Sequence, residues 1–204
     1  MKQSLLKLVI TISLFLVVNI VFAQQPREYR QFIKANFPEF VQHFKHLDFE
    51  KFDAGYKTEL DLEVTNNVPE DWSAYIKQYK DFLIHNPGKS FAVDLLSAYI
   101  DIEFRHGAYY GVSDVDQAVL LVDMKHKRFV QIAFCGPSCE YEDVKWLNDD
   151  QFIIVGYFQT DEQQYIPTIT FVDLVSKTRL AYMNETNTAK AVYKGKLFKK
   201  IRFE

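Results

Sequence analysis

Apolar residues along this 204-residue chain fall into three regimes. They are almost continuous from Leu8 to Phe22, recur every three or four positions up to Gly88, and beyond it alternate in short blocks between turns. In the middle regime the spacing predicts a short helix over 27–36 (REYRQFIKAN), stopped by Pro38. Phe40, Phe44 and Leu47 then recur at helical spacing from Pro38 onward. Pro69-Glu70-Asp71 opens a third helix, with proline at its first position, acids in its first turn and Trp72, Tyr75, Ile76, Tyr79, Phe82 and Leu83 along one face. Between these helices TELDLEV, residues 58–64, alternates as one strand.

After Gly88 the blocks are rich in Val, Ile, Phe and Tyr: FAVDLL, YIDIEF, AVLLVDM, FVQIAF, EDVKWL, FIIVGYF, TITFVDL and RLAYM. They read as two copies of a four-strand unit. Leu121-Val122-Asp123 with Lys127 aligns onto Phe171-Val172-Asp173 with Lys177, and Val93–Ile102 aligns onto Val144–Ile153. A four-strand meander repeated every 40–50 residues or so is the sequence pattern of a β-propeller blade. VLLVDMKHKRFVQI, VKWLNDDQFIIVGY and TITFVDLVSKTRLAYM resemble blades of the propellers of exported bacterial proteins, a likeness covering residues 90–185. The whole layout also resembles uncharacterised exported proteins of Bacteroidetes-type bacteria, a likeness that implies export but no activity. A closed propeller takes about four or more blades, and this chain has material for two. The expected fold is therefore α+β: N-terminal helices followed by two four-stranded antiparallel blade-like meanders, an incomplete propeller-like sheet. The helices are expected to cover a sheet face or edge. The tail AVYKGKLFKKIRF, residues 191–203, reads as a ninth strand closing an edge, with lysines outward.

The first regime has the order of a signal peptide: Lys2 and Lys7, the run LVITISLFLVVNIVF, then Ala23 before Gln24-Gln25-Pro26. A spanning helix wants about 20 apolar residues, and this run is shorter, with Asn19 inside it. The expected organisation is a signal peptide over 1–23, a helical region over 24–88 and a β-sheet region over 89–204 forming one compact domain with the helices. The destination is the periplasm or the outside, with no membrane span after cleavage. Lys and Arg number 24 and Asp and Glu 27, a net charge of −3 that becomes about −5 once Lys2 and Lys7 leave with the leader. That balance argues against a nucleic-acid partner, which would ask for a basic face. The two cysteines, Cys135 and Cys139, lie in FCGPSCEYED, and in an oxidising compartment a close pair is expected to form a disulfide. The spacing is one residue too long for a thioredoxin-type CGPC, and the residues that follow read as strand rather than helix.

Candidate chemistry is sparse. His43 and His46 share a helix face, but two ligands without a third make no metal site. Asp114 and Asp116 lack the spacing of a calcium loop and suit turn chemistry. The same turn reading covers Asn148-Asp149-Asp150 and Thr160-Asp161-Glu162. Glu140, Glu142 and Asp143 form an acidic rim beside the cysteine loop, the first surface to test for ligand contact. No G-x-S-x-G, H-E-x-x-H, P-loop or G-x-G-x-x-G motif occurs, so no cofactor, metal or catalytic residue is expected. Asn184-Glu185-Thr186 matches a glycosylation acceptor, relevant only in a eukaryotic source. Two functions fit: a non-catalytic module binding an envelope or secreted protein, or a hydrolase using paired carboxylates among Asp114, Asp116, Glu140 and Glu142.

Overall fold

The computed structural model describes residues 25–63 and 69–204; the signal-peptide segment and the end of the TELDLEV run lie outside the described residues. Among the described residues strands account for 43% and helices, 3-10 turns included, for 15%, in largely antiparallel sheets that close no barrel. The α-helices among the described residues are α1 (Arg30–Asn36), α2 (Pro38–His43) and α3 (Trp72–Tyr79). Pro38 does end the first helix, and it also opens the second as its first residue. The third begins one residue after Asp71, whose carboxylate accepts the Ser73 and Ala74 N–H groups as an N-cap. Pro69 therefore stands outside the helix it was expected to start.

The second predicted meander is present. β8 (Cys139–Trp146), β9 (Gln151–Gln159), β10 (Tyr165–Asp173) and β11 (Thr178–Met183) pair in sequence, and β1 (Asp53–Glu59) adds itself beside β11. The expected strand over 58–64 is thus displaced toward the N-terminus, because pairing with β11 runs from Asp53 to Glu59 while Leu60 turns into the core.

The first predicted meander does not form, which corrects the expectation of two equivalent units. β3 (Phe91–Asp94) pairs directly with β6 (Gln117–Asp123), which pairs with β7 (Arg128–Cys135); β2 (Ile84–His85) flanks β3. β4 (Ile100–Arg105) instead pairs with β5 (Ala108–Ser113), a strand the sequence pattern had placed in a turn, and β12 (Ile201–Phe203) joins β5 in parallel. The physical cause lies in LLSAY. Asp94 accepts the Leu96 and Ser97 N–H groups, and the Ile100 N–H reaches back to the Leu96 carbonyl, so the chain makes a helical turn and leaves the sheet. Buried Leu95 and Leu96 fix that turn in the core.

The aligned Asp and Lys positions are a true structural repeat. Asp123 accepts the Lys125 and His126 N–H groups, Asp173 those of Val175 and Ser176, and Lys127 and Lys177 both adopt positive φ (53° and 52°). The repeated feature is one hairpin turn, its start capped by Asp and its end left-handed.

The five-stranded sheet is buried on both faces, which explains its nearly unbroken apolar runs. Ile153, Val155, Ile169, Phe171 and Tyr182 face α1 and α2, meeting Ile33, Phe37, Phe40 and Phe44. Phe152, Ile154, Val172 and Leu174 face the other way, into a core shared with α3, the β2-β3-β6-β7 sheet and the β4-β5-β12 sheet. The first two helices thus cover a sheet face, as expected of their apolar stripes.

Candidate functional site

The acidic rim belongs to β8, and a bulge decides where its side chains go. Tyr141 pairs with Gly156 and Asp143 with Val155, leaving Glu142 as the extra residue. The bulge is held from both sides. Gln117 accepts the Tyr141 N–H at 2.7 Å and donates to the Tyr141 carbonyl at 2.9 Å. Two glycines let other backbone approach: a Cβ on Gly156 would overlap the Glu140 carbonyl, and one on Gly195 would overlap the Glu142 carbonyl.

The three acids have separate environments. Glu140 accepts hydrogen bonds from the Tyr99 hydroxyl at 2.8 Å and from the Tyr157 hydroxyl. Glu142 is 1% exposed and accepts the Gly195 N–H at 2.5 Å. Asp143 accepts the Tyr193 hydroxyl at 3.0 Å and the Lys196 N–H at 3.4 Å. Burial, then the charge of Glu140, pushes the Glu142 carboxyl up to about 9, and the Gly195 N–H offsets only part of that. Burial also raises Asp143, against the pull of Tyr193, the Lys196 N–H and the charges of Lys145 and Lys196. Burial chiefly, and then the adjoining carboxylates, raise the phenols of Tyr99, Tyr157 and Tyr193, so all three stay donors.

Chemically this is a sealed lock. The C-terminal arm from Tyr193 to Lys196 lies over two of the acids, and two phenols engage the third. Asp114 and Asp116 stand apart on the exposed β5–β6 turn: the Asp114 carboxylate accepts its neighbour Val115 N–H at 2.6 Å, and Asp116 lies beside Gly136. The structure therefore joins Glu140 and Glu142, adds Asp143, and brings neither turn aspartate into their hydrogen bonds. The tyrosines and Gly195 were not legible as partners. The available signal was Gly156, an interior strand glycine in a chain with only seven glycines, which marks a bulge or close approach.

Cys135 and Cys139 lie at disulfide distance, their sulfurs 1.95 Å apart, and close the short loop joining β7 to β8. His43 bonds the Ala191 carbonyl at 2.8 Å and meets Phe44 edge-on and Tyr193 at a tilt, while His46 has left the helix at positive φ. No group of three metal-ligating side chains occurs among the described residues. Asn148 and Thr160 accept backbone N–H groups within their own turns, as turn chemistry requires. Asn184 is fully buried, its amide donating to the Asp48 carbonyl, so its side chain is committed to packing rather than to a glycan.

A second feature borders β7, a strand edge that pairs with no further strand among the described residues. Residues 58–61 and 131–134 line a groove of about 360 Å³ with Arg179. The Arg179 guanidinium spans it, donating to the Ile132 carbonyl at 3.1 Å and the Thr58 hydroxyl at 3.2 Å, while its Nε meets no acceptor. Phe134 in the groove wall is 54% exposed, and Tyr56 on β1 is 79% exposed. No protein-family model, curated protein or solved structure matches this chain.

Proposed function

We propose that the protein is an exported, non-catalytic binding module of the bacterial envelope, and that it takes an extended segment of another envelope protein along the β7 edge. The observation that carries this reading is the groove itself. An edge strand unpaired among the described residues offers backbone hydrogen bonds, exposed Phe134 offers an apolar anchor, and Arg179 ties the two groove walls together through Ile132 and Thr58. The close cysteine pair is compatible with an oxidising compartment. Kinship with a propeller blade is supported by the β8–β11 meander only.

The hydrolase reading has less support, because Glu142 and Asp143 are covered and Asp114 and Asp116 are elsewhere. The test places a photo-crosslinking amino acid at Phe134 in the producing bacterium, with the exposed Phe104, on β4 in another sheet, as control. The reading expects a discrete adduct from position 134, absent from 104 and lost in Arg179→Ala, which unties the groove walls. Equal labelling from both positions, or none from 134, overturns it.

A further inference from the structure

We propose that residues 193–204 form a pH-sensitive latch, docked over the β8 bulge in acid and lifting as the pH rises, so that the edge of β5 is uncovered. The arm is held at two places by different means. Near its start the Gly195 and Lys196 N–H groups and the Tyr193 hydroxyl bind Glu142 and Asp143. Near its end β12 pairs in parallel with Tyr109, Tyr110 and Gly111, and Leu197, Phe198 and Ile201 enter the core. Apolar burial of Leu197, Phe198 and Ile201 holds the end of the arm, and the hydrogen bonds to Glu142 and Asp143 are the part of the docking that responds to pH.

The linkage follows from what the arm covers. Gly195 sits against the Glu142 backbone, closing the carboxyl from water; lifting the arm returns it to solvent. Glu142 ionises in the open form at an ordinary carboxylate pH and in the docked form near 9, so ionisation favours opening across that interval. The groups facing it reinforce the sign. Glu140 and Asp143 on β8 repel the new charge, and Lys194 on the arm attracts it more weakly. Tyr99, Tyr157 and Tyr193 remain neutral donors throughout. Around Asp143 stand Lys145 and Lys196, and the exposed Glu39–Lys199 ion pair at the start of α2 is a tie that the open arm gives up.

The test is amide hydrogen exchange of the full chain, corrected for intrinsic rate, at several pH values from 5 to 9. The opening constant of residues 193–204 should rise by up to about tenfold per pH unit, while β9 and β10 keep their protection. In Glu142→Gln the arm's opening should depend on pH much less, the remainder coming from Asp143, which the arm also covers. Glu142→Met, with no amide to satisfy, is the second variant and should behave alike. A pH-independent arm in the wild type, an equal pH dependence in the variants, or simultaneous loss of protection in arm and β9–β10 overturns the proposal.

Discussion

Replacing Glu142 by Gln tests the electrostatics of the bulge at a single atom. Glu142 is 1% exposed, and its carboxyl is displaced upward from 4.5 to about 9. In the unfolded chain the same group ionises near its ordinary value. Between those two pH values the unfolded state gives up a proton that the folded state keeps. Folding stability therefore falls as the pH rises, by about 1.4 kcal/mol per unit for one proton. The cost is absent below the ordinary value, grows through the interval and is complete above about 9. Glutamine keeps the shape and can accept the Gly195 N–H through its amide oxygen, but it holds no titrating proton. The stability of Glu142→Gln relative to wild type should therefore grow with pH, by at most about 4 kcal/mol between pH 5 and 8. Arm opening lowers that ceiling, since Glu142 can then ionise without global unfolding. Urea denaturation at four pH values in this range measures the difference, in which carboxylates remote from the bulge cancel. Parallel stability curves, or a difference that shrinks with pH, would refute the reasoning.

Asp123→Ala and Asp173→Ala should each cost about 1–2 kcal/mol in urea denaturation, because each strands two turn N–H groups. Burial pushes both carboxyls up, but hydrogen bonds from His126 and Arg128 to Asp123, and from Ser176, Gln151 and Val175 to Asp173, outweigh it and hold both below the ordinary value. Their stabilisation is present above that value and lost in acid, a loss that each alanine variant should reduce. Cys135→Ser with Cys139→Ser should lower stability by only about 2 kcal/mol, because the closed loop spans a sequence separation of 4; a thermal scan with and without reductant checks it. Intact-mass analysis of protein recovered outside the cytoplasm should give a chain beginning at Gln24, and a full-length mass would contradict cleavage.

Legibility in the sequence tracked how local each determinant was. The β8–β11 meander was readable because its strands pair with their chain neighbours and their apolar runs match a sheet buried on both faces. The Asp–Lys repeat was readable because each hairpin turn is capped within a few residues. The first unit misled because Val93–Ile102 matches Val144–Ile153 in pattern but not in the turn that follows: Asp94 caps a helical turn where Asn148 caps a hairpin. β5 escaped because Tyr109-Tyr110-Gly111 has the look of a turn, whereas its Gly111 is squeezed between Ile100 and Ile201. The candidate site was half legible. Glu140, Glu142 and Asp143 could be picked out as a rim beside the cysteines, but their closure depends on Tyr193 and Gly195, about 50 residues further along, which local periodicity cannot bring near.

The account turns on Glu142 being a sealed, neutral, structural acid instead of an open catalytic one. Carbon-13 NMR of the glutamate side-chain carboxyls, with Glu142→Gln supplying the assignment, follows its titration directly. A sealed Glu142 carboxyl should titrate with a midpoint far above the ordinary carboxylate range, near 9. A midpoint at the ordinary value would mean that the bulge stands open to water, and it would remove the lock and the latch together.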